Sequence, residues 1–322
     1  MADTRLSEAE FRALYDQLRA RPGWGPQDRR GALNYLTPDR LAAACQEVRL
    51  GRSVSLASPL EDEPGPDNPV PVTHEMTAPP GAVEQPGQEN QDDEHTAVEP
   101  GLDFAMDRIG MNVHGDAASH IDALCHVIFD GRLYNGVSAD QITSDGAQSE
   151  SIEIARDGIA GRGVLLDIPR LRGVPWLEPG DHVKADELVA AEAAQGVRVG
   201  RGDILLVRVG HRRRREELGA WDAAASRAGL HPAALEFVAD REVAMLGSDS
   251  NNDTAPSAAD GVDFPVHVLA INALGVHLLD YLQFSDLVPL CERAGRWTFL
   301  CVIAPLRLPG ATGSPVNPLA IL

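Results

Sequence analysis

The chain has 322 residues, 43% of them hydrophobic, and a formal net charge of -20. That is enough chain to bury a substantial core, in one large domain or two modest ones. An acidic surface field of this size opposes nucleic-acid phosphates and anionic membranes, so neither is expected as a partner.

The N-terminal stretch through Leu18 reads as an amphipathic helix and not as a signal peptide, and no apolar run reaches membrane-spanning length. A cytoplasmic protein is expected. A second helix is expected to start at Thr37-Pro38-Asp39, with Thr37 capping and Pro38 in the first turn, and to stop at Gly51. SVSLASPL follows as a strand with Val54 and Leu56 alternating against serines. Residues 1–50 are therefore read as a helical segment packed on a catalytic domain over 51–322. Residues 61–101 are rich in Pro, Gly, Gln and acids and read as a long irregular acidic loop, either a mobile surface loop or a lid or dimer-contact arm. Within it, PVTHEM resumes an extended pattern.

From residue 161 the pattern is regular. GRGVLLDI and GDILLVRVG are buried strands, ADELVAAEAAQG is a helix closed by Gly196, HPAALEFVADRE is a helix, and VAMLGSD is a third strand. Strands alternating with helices predict a mixed α/β domain. The run Arg212 to Arg215, followed by Glu216 and Glu217, reads as a solvated helix start. Neither GxGxxG after a strand nor GxxxxGK[ST] occurs, so no nucleotide cofactor is expected. The four cysteines, Cys45, Cys125, Cys291 and Cys301, form no CxxC pair, which argues against a zinc ribbon or a disulfide framework.

NVHGDAASHIDALCHV, residues 112–127, gathers His114, Asp116, His120, Asp122 and His126, three of the ten histidines of the chain. On an extended strand His120 and Asp122 point the same way. Asp116, four residues earlier, and His126, four residues after Asp122, reach the same point through a turn or a helical start. Imidazole with carboxylate suits zinc, manganese or iron, not an all-oxygen calcium site. Such an ion lowers the pKa of water in an open coordination position, and a spare histidine can carry the proton. The same residues also suit a metal-free general base or a buried polar network. Cys125 reads as a small buried spacer, because neighbouring side chains on a strand point apart.

SHIDALCH resembles the THxDxPxH-type signature of the cyclase family, metal-dependent hydrolases that include bacterial kynurenine formamidase and isatin hydrolase. WGPQDRRGALNYLT, FDGRLYNG, GRGVLLDI, GDILLVRVG, LGSDSNND and PLRLPGATGSPVNPLAIL resemble, in order, segments of the family's longer actinobacterial-type branch. The resemblance implies a swivelling β/β/α barrel-like fold and a homodimer or homotetramer. It also implies a divalent metal in a cleft partly closed by a neighbouring subunit.

Carried over residue by residue, His120 and Asp122 match the second and third positions of the family's His-x-x-x-His-x-Asp pattern. His126 matches its acid/base histidine. The first position falls on Asp116; His114 takes it only if the backbone bulges. A carboxylate there makes the site harder, favouring manganese or magnesium over zinc. The expected cofactor is thus one divalent ion, manganese or zinc, with magnesium as an alternative. For members with a second metal, His267 matches the downstream histidine, and Asp280 lies near the expected glutamate, one carbon shorter. His277 in the same segment reads as a partly exposed core-helix histidine. Trp24, His74, Phe104, Phe129 and Tyr134 are candidate substrate walls, with a core role equally open for Phe129. His95 is read as solvent-exposed, and His182, His211 and His231 as non-catalytic.

Three functions follow. The first is hydrolysis of an amide, imide or lactam C–N bond in a small cyclic or aryl substrate, by metal-activated water with His126 as acid/base. The second is metal-independent cyclase or dehydratase chemistry on the same fold. The third is a catalytically lapsed binding protein.

Overall fold

A computed structural model describes residues 5–78 and 104–322; the expectation for His95 lies outside them. Nine strands make one sheet: β1 (Ser53–Ser55), β2 (His120–Asp122), β3 (Ile159–Asp167), β4 (Ile204–Arg208), β5 (Met245–Ser248), β6 (His277–Asp280), β7 (Thr298–Ile303), β8 (Gly313–Pro315) and β9 (Leu319–Ile321). They lie in the order β1-β9-β7-β3-β4-β5-β6-β2-β8. Neighbours from β3 to β6 are parallel, and all other pairs are antiparallel. The sheet curls into a half-barrel surrounded by helices, a mixed α/β architecture.

The parallel centre is made by the apolar runs. Val164 and Leu166 of β3 join one core with Leu205, Val207, Leu246 and Leu278. Leu165, between them, joins a second core with Ile204, Leu206, Met245, Leu279 and Phe299. Alternation along each strand thus feeds apolar side chains to both faces, as a covered parallel sheet requires. Parallel neighbours also need crossovers. These are α3 (Ile168–Arg172) with α4 (Ala185–Gln195), then α5 (His211–Leu218) with α6 (Leu235–Asp240), then α7 (Pro265–His267), which continues as a π-helix over Val268–Leu274. A last helix, α8 (Leu287–Ala294), precedes β7.

The N-terminal helix α1 (Glu8–Arg19) opens on a capping box between Ser7 and Glu10 and buries Phe11, Leu14, Tyr15 and Leu18. Its Tyr15 hydroxyl donates to Asn272 Oδ1 at 2.7 Å, fastening the helix to the π-helical turn. Residues 73–78 and 106–110 pair as a separate antiparallel ribbon, with His74 opposite Ile109. No helix among the described residues is long and apolar enough to cross a membrane.

Four local expectations are corrected. Helix α2 (Pro38–Ala44) does have Pro38 in its first turn, but the Thr37 side chain makes no capping hydrogen bond. The helix ends at Ala44 and tightens into a 3-10 turn over Cys45–Glu47, well before Gly51. The arginine run does open a helix, yet Arg212 is buried, and Arg215 makes ion pairs with Glu61 and Asp67. His277 is a fully buried residue of β6, not a partly exposed helical one. Gly275, at φ +69, closes the π-helical turn and lets the chain enter the strand.

Candidate active site

Strand β2 is only three residues long and is clamped between β6 and β8. Its register sets His120 opposite Asp280 and Ser314 opposite Ile121. Ile121 turns into the second core, so His120 and Asp122 share the other face. All three residues of the strand are buried.

The side chains converge on Asp122. Its Oδ1 lies 2.8 Å from His114 Nδ1 and 3.6 Å from His120 Nε2, and its Oδ2 lies 3.3 Å from His267 Nε2. His267 Nε2 is also 3.3 Å from Asp280 Oδ2. His120 Nδ1 donates to the Ala118 carbonyl at 2.8 Å. That bond fixes the ring so that its Nε2 faces Asp122 Oδ1 and Asp280 Oδ2, at 3.6 and 4.0 Å. Two carboxylates this close repel one another unless a cation lies among them.

Ligand atoms of His120, Asp122 and Asp280 lie within 4.8 Å of one another, and so do those of His114, Asp122 and His126. These imidazole and carboxylate donors fit a divalent cation. His114 and His126 stack in parallel with ring centres 3.6 Å apart, and His114 Nε2 reaches Thr312 Oγ1 at 2.9 Å. Asp116 belongs to neither donor group; it accepts from the Tyr281 hydroxyl at 3.1 Å. His267 and Asp280 close on Asp122 instead of standing as a separate pair.

The electrostatics follow from burial. Burial alone would raise the Asp122 carboxyl, but hydrogen bonds from His114 and His267 and the nearby His126 and His120 hold it well below the usual range. Burial pushes His126 down to about 4, with His114 and His267 adding to the effect against the opposing pull of Asp122. His126 is therefore a neutral imidazole at neutral pH, able to accept a proton.

Several supporting residues escaped the sequence reading. Seven consecutive polar residues beginning at the end of β5, Ser248 to Thr254, are all buried. Asn252 Nδ2 donates to Asp280 Oδ1 at 2.5 Å and Asn251 Nδ2 to Asp280 Oδ2 at 2.8 Å, fixing the carboxylate plane. Asp253 takes His267 Nδ1 at 2.5 Å and the backbone amides of Val266 and His267. The only sequence signal for them is a polar run directly after a buried apolar strand.

The candidate wall residues are dispersed. Trp24 packs edge-on against Tyr35, and Phe129 packs against Phe11 and Tyr15. The buried Tyr134 donates to Asp28 Oδ2 at 3.0 Å. His74 lies on the outer ribbon, 2.8 Å from Asp107, and Phe104 is exposed.

Next to this cluster, the Cys125 amide donates to the carbonyl of Glu150 at 3.1 Å. The Glu150 carboxylate is buried. Its oxygens have no hydrogen-bond partner among the described residues, and the Arg29 Nε is 3.8 Å away. Burial raises its pKa from 4.5 to about 8, with Arg29 opposing and Asp28 assisting. A carboxyl raised in the fold contributes stability that is full below its unfolded pKa and is lost as pH rises through the folded one. Glu150→Gln is thus expected to stabilise the protein by about 2 kcal/mol at pH 8, with the gain fading toward pH 4.5. Denaturant melts of both proteins across that range check this; a pH-independent difference would contradict it.

A curled mixed sheet carrying a buried histidine–aspartate cluster with cation-binding geometry defines the class of protein. The Cyclase family model matches residues 54–252, a span that includes His114, His120, Asp122 and His126 and ends one residue before Asp253. A crystal structure described as a novel cyclase is 31% identical, with 96% of this chain and 99% of the other covered and a TM-score of 0.80. The chain belongs to the cyclase family. Isatin hydrolase A from Labrenzia aggregata, bound to benzyl benzoate, has the same fold at 21% identity, covering 88% and 97% of the two chains with a TM-score of 0.56. So does a predicted metal-dependent hydrolase from Bacillus stearothermophilus, at 17% identity, 84% and 97% coverage and a TM-score of 0.51. No curated protein matches the chain.

Proposed function

We propose that the protein is a metal-dependent hydrolase of an amide, imide or lactam C–N bond in a small cyclic or aryl substrate. The observation that carries this reading is the convergence of ligand atoms of His120, Asp122 and Asp280 within 4.8 Å of one another, beside His114 and His126. The hydrolase names of the two structures of the same fold support it.

His120, Asp122 and Asp280 would hold a divalent ion, manganese or zinc by the chemistry of the donors, with His267 beside them. When bound, the ion supplies Lewis-acid charge that polarises a carbonyl and makes water more acidic at neutral pH. Neutral His126 receives the water proton at a ring nitrogen and returns it to the leaving nitrogen. His114, stacked on it at 3.6 Å and anchored to Asp122, fixes the plane of the His126 ring. Asn251, Asn252 and Asp253 hold Asp280 and His267 in place. The reading includes a homodimer or homotetramer in which a neighbouring chain helps close the cleft.

Element analysis of the purified protein, with a screen of cyclic imides, isatin-like lactams and formylated aryl amines, tests it. The expected result is about one divalent ion per chain, with turnover falling at least about a hundredfold on chelation and returning with manganese or zinc. Undiminished turnover in protein stripped of divalent ions would sink the reading.

A further inference from the structure

Asp116 stands at the cleft without joining either donor group, and the residue that holds it is unusual. Its Oδ1 accepts from the Tyr281 hydroxyl at 3.1 Å. Tyr281 is fully buried and sits in the left-handed region at φ +53, a costly conformation for an aromatic residue. Its surroundings over-determine that conformation. The Tyr281 amide donates to Ser250 O at 3.0 Å, and its carbonyl accepts from Ser119 Oγ at 2.6 Å and Ser58 Oγ at 3.2 Å. Because Tyr281 directly follows Asp280, the strand end that delivers Asp280 to the cation-binding cluster also delivers a phenol to Asp116. His120 lies 6.4 Å from the Tyr281 ring and His211 5.7 Å from it, so its position is set from both sides.

Asp116 lines a cavity of about 140 Å³ together with His114, Gly115, Asn68, Asn112 and Val70. Among the described residues, Asp116 Oδ2 has no hydrogen-bond partner and the carboxylate makes no ion pair. The neighbouring buried cation, Arg212, is committed to the Ala117 carbonyl instead. One oxygen is thus fixed from behind by a residue held in a strained conformation, and the other is left for a donor in the cleft.

We propose that Asp116, positioned by Tyr281, forms a recognition subsite for a hydrogen-bond-donating nitrogen of the substrate, the N–H of a lactam, imide or anilide. The proposal rests on the hydrolase reading for the bond that is cut, but not for the donor that is recognised. Asp116 contacts the substrate, and Tyr281 is a positioning residue. An acceptor that a bound analogue without the N–H shuts off from water is left unpaired and penalises that analogue, which is how such a subsite selects.

The test compares isatin with N-methylisatin in the parent, Asp116→Leu and Tyr281→Phe proteins. The parent is expected to favour the N–H form by about ten- to hundredfold in kcat/KM, a ratio typical of a hydrogen bond to a charged acceptor. Asp116→Leu should bring the ratio within about threefold, mainly through KM, because any steric effect of the methyl group is common to both proteins. Tyr281→Phe should reduce the ratio partially, and both variants should retain the parent's metal content. Equal treatment of the two compounds by the parent, an unchanged ratio in Asp116→Leu, or loss of metal from Asp116→Leu would each overturn the subsite. If neither compound is hydrolysed, calorimetric dissociation constants decide. A preference for isatin that Asp116→Leu abolishes leaves the subsite standing while the hydrolase reading fails, and equal affinities in the parent overturn the subsite too.

Discussion

Asp122→Asn is expected to leave a folded protein that no longer retains a divalent ion and whose turnover falls by at least about a thousandfold. Asp122 is the one side chain common to both donor groups. It is 1% exposed and held well below the usual carboxylate range by His114 and His267, so the cluster is built around its negative charge. Asparagine keeps the volume and one carbonyl oxygen but replaces the charge with a dipole, and its amide nitrogen would set donor hydrogens against His114 in place of Oδ1 or against His267 in place of Oδ2. Metal-to-protein ratio, melting temperature and turnover separate the outcomes. Stoichiometric metal with activity within about tenfold of the parent would contradict the expectation. A protein that fails to fold would be recognised by its melting curve, and Asp280→Asn then provides the second measurement. The contrast with Asp116→Leu is sharp, because the two aspartates lie six residues apart and only one is expected to control metal content.

The difference between those aspartates also shows how far the sequence could be read. His120 and Asp122 were legible because strand period alone puts them on one face, and β2 does so. The central strands were legible because runs such as GRGVLLDI and GDILLVRVG are apolar enough to be buried on both faces. Which front-end residue approaches Asp122 was not legible, since neither four- nor eight-residue spacing determines a bend through Gly115. In the fold His114 makes that approach, through an irregular segment ahead of β2. The partner of Asp116, Tyr281, is 165 positions away, and no local pattern links them. Asn251, Asn252 and Asp253 look like an ordinary polar loop; only the fold buries them. His277 was misread because ALGVHLLDYL keeps its apolar character as it passes from helix to strand, with Gly275 as the only punctuation.

His267→Ala is expected to be the largest single loss of stability in the metal-free protein, about 3–5 kcal/mol. Asp122, Asp253 and Asp280 are each at most 1% exposed, and the His267 ring lies among all three. Its Nδ1 is 2.5 Å from Asp253, and its Nε2 is 3.3 Å from both Asp122 and Asp280. Burial alone would drive off its proton, but the charge of Asp280 and the hydrogen bonds with Asp122, Asp253 and Asp280 hold it well above the usual histidine range. A raised histidine contributes stability that is full below its unfolded pKa and is lost as pH rises through the folded one. The deficit of His267→Ala should therefore be widest on the acidic side of neutrality and shrink as pH rises. Removing the imidazole leaves three buried carboxylates without their shared cation, and breaking a buried ion cluster costs far more than the cluster is worth intact. Denaturant melts in chelator, for parent and variant across pH, measure this; a deficit below about 1 kcal/mol would show that the aspartates find other compensation. Added divalent ion should recover more stability in the variant than in the parent, because it replaces the missing charge where the parent already has one.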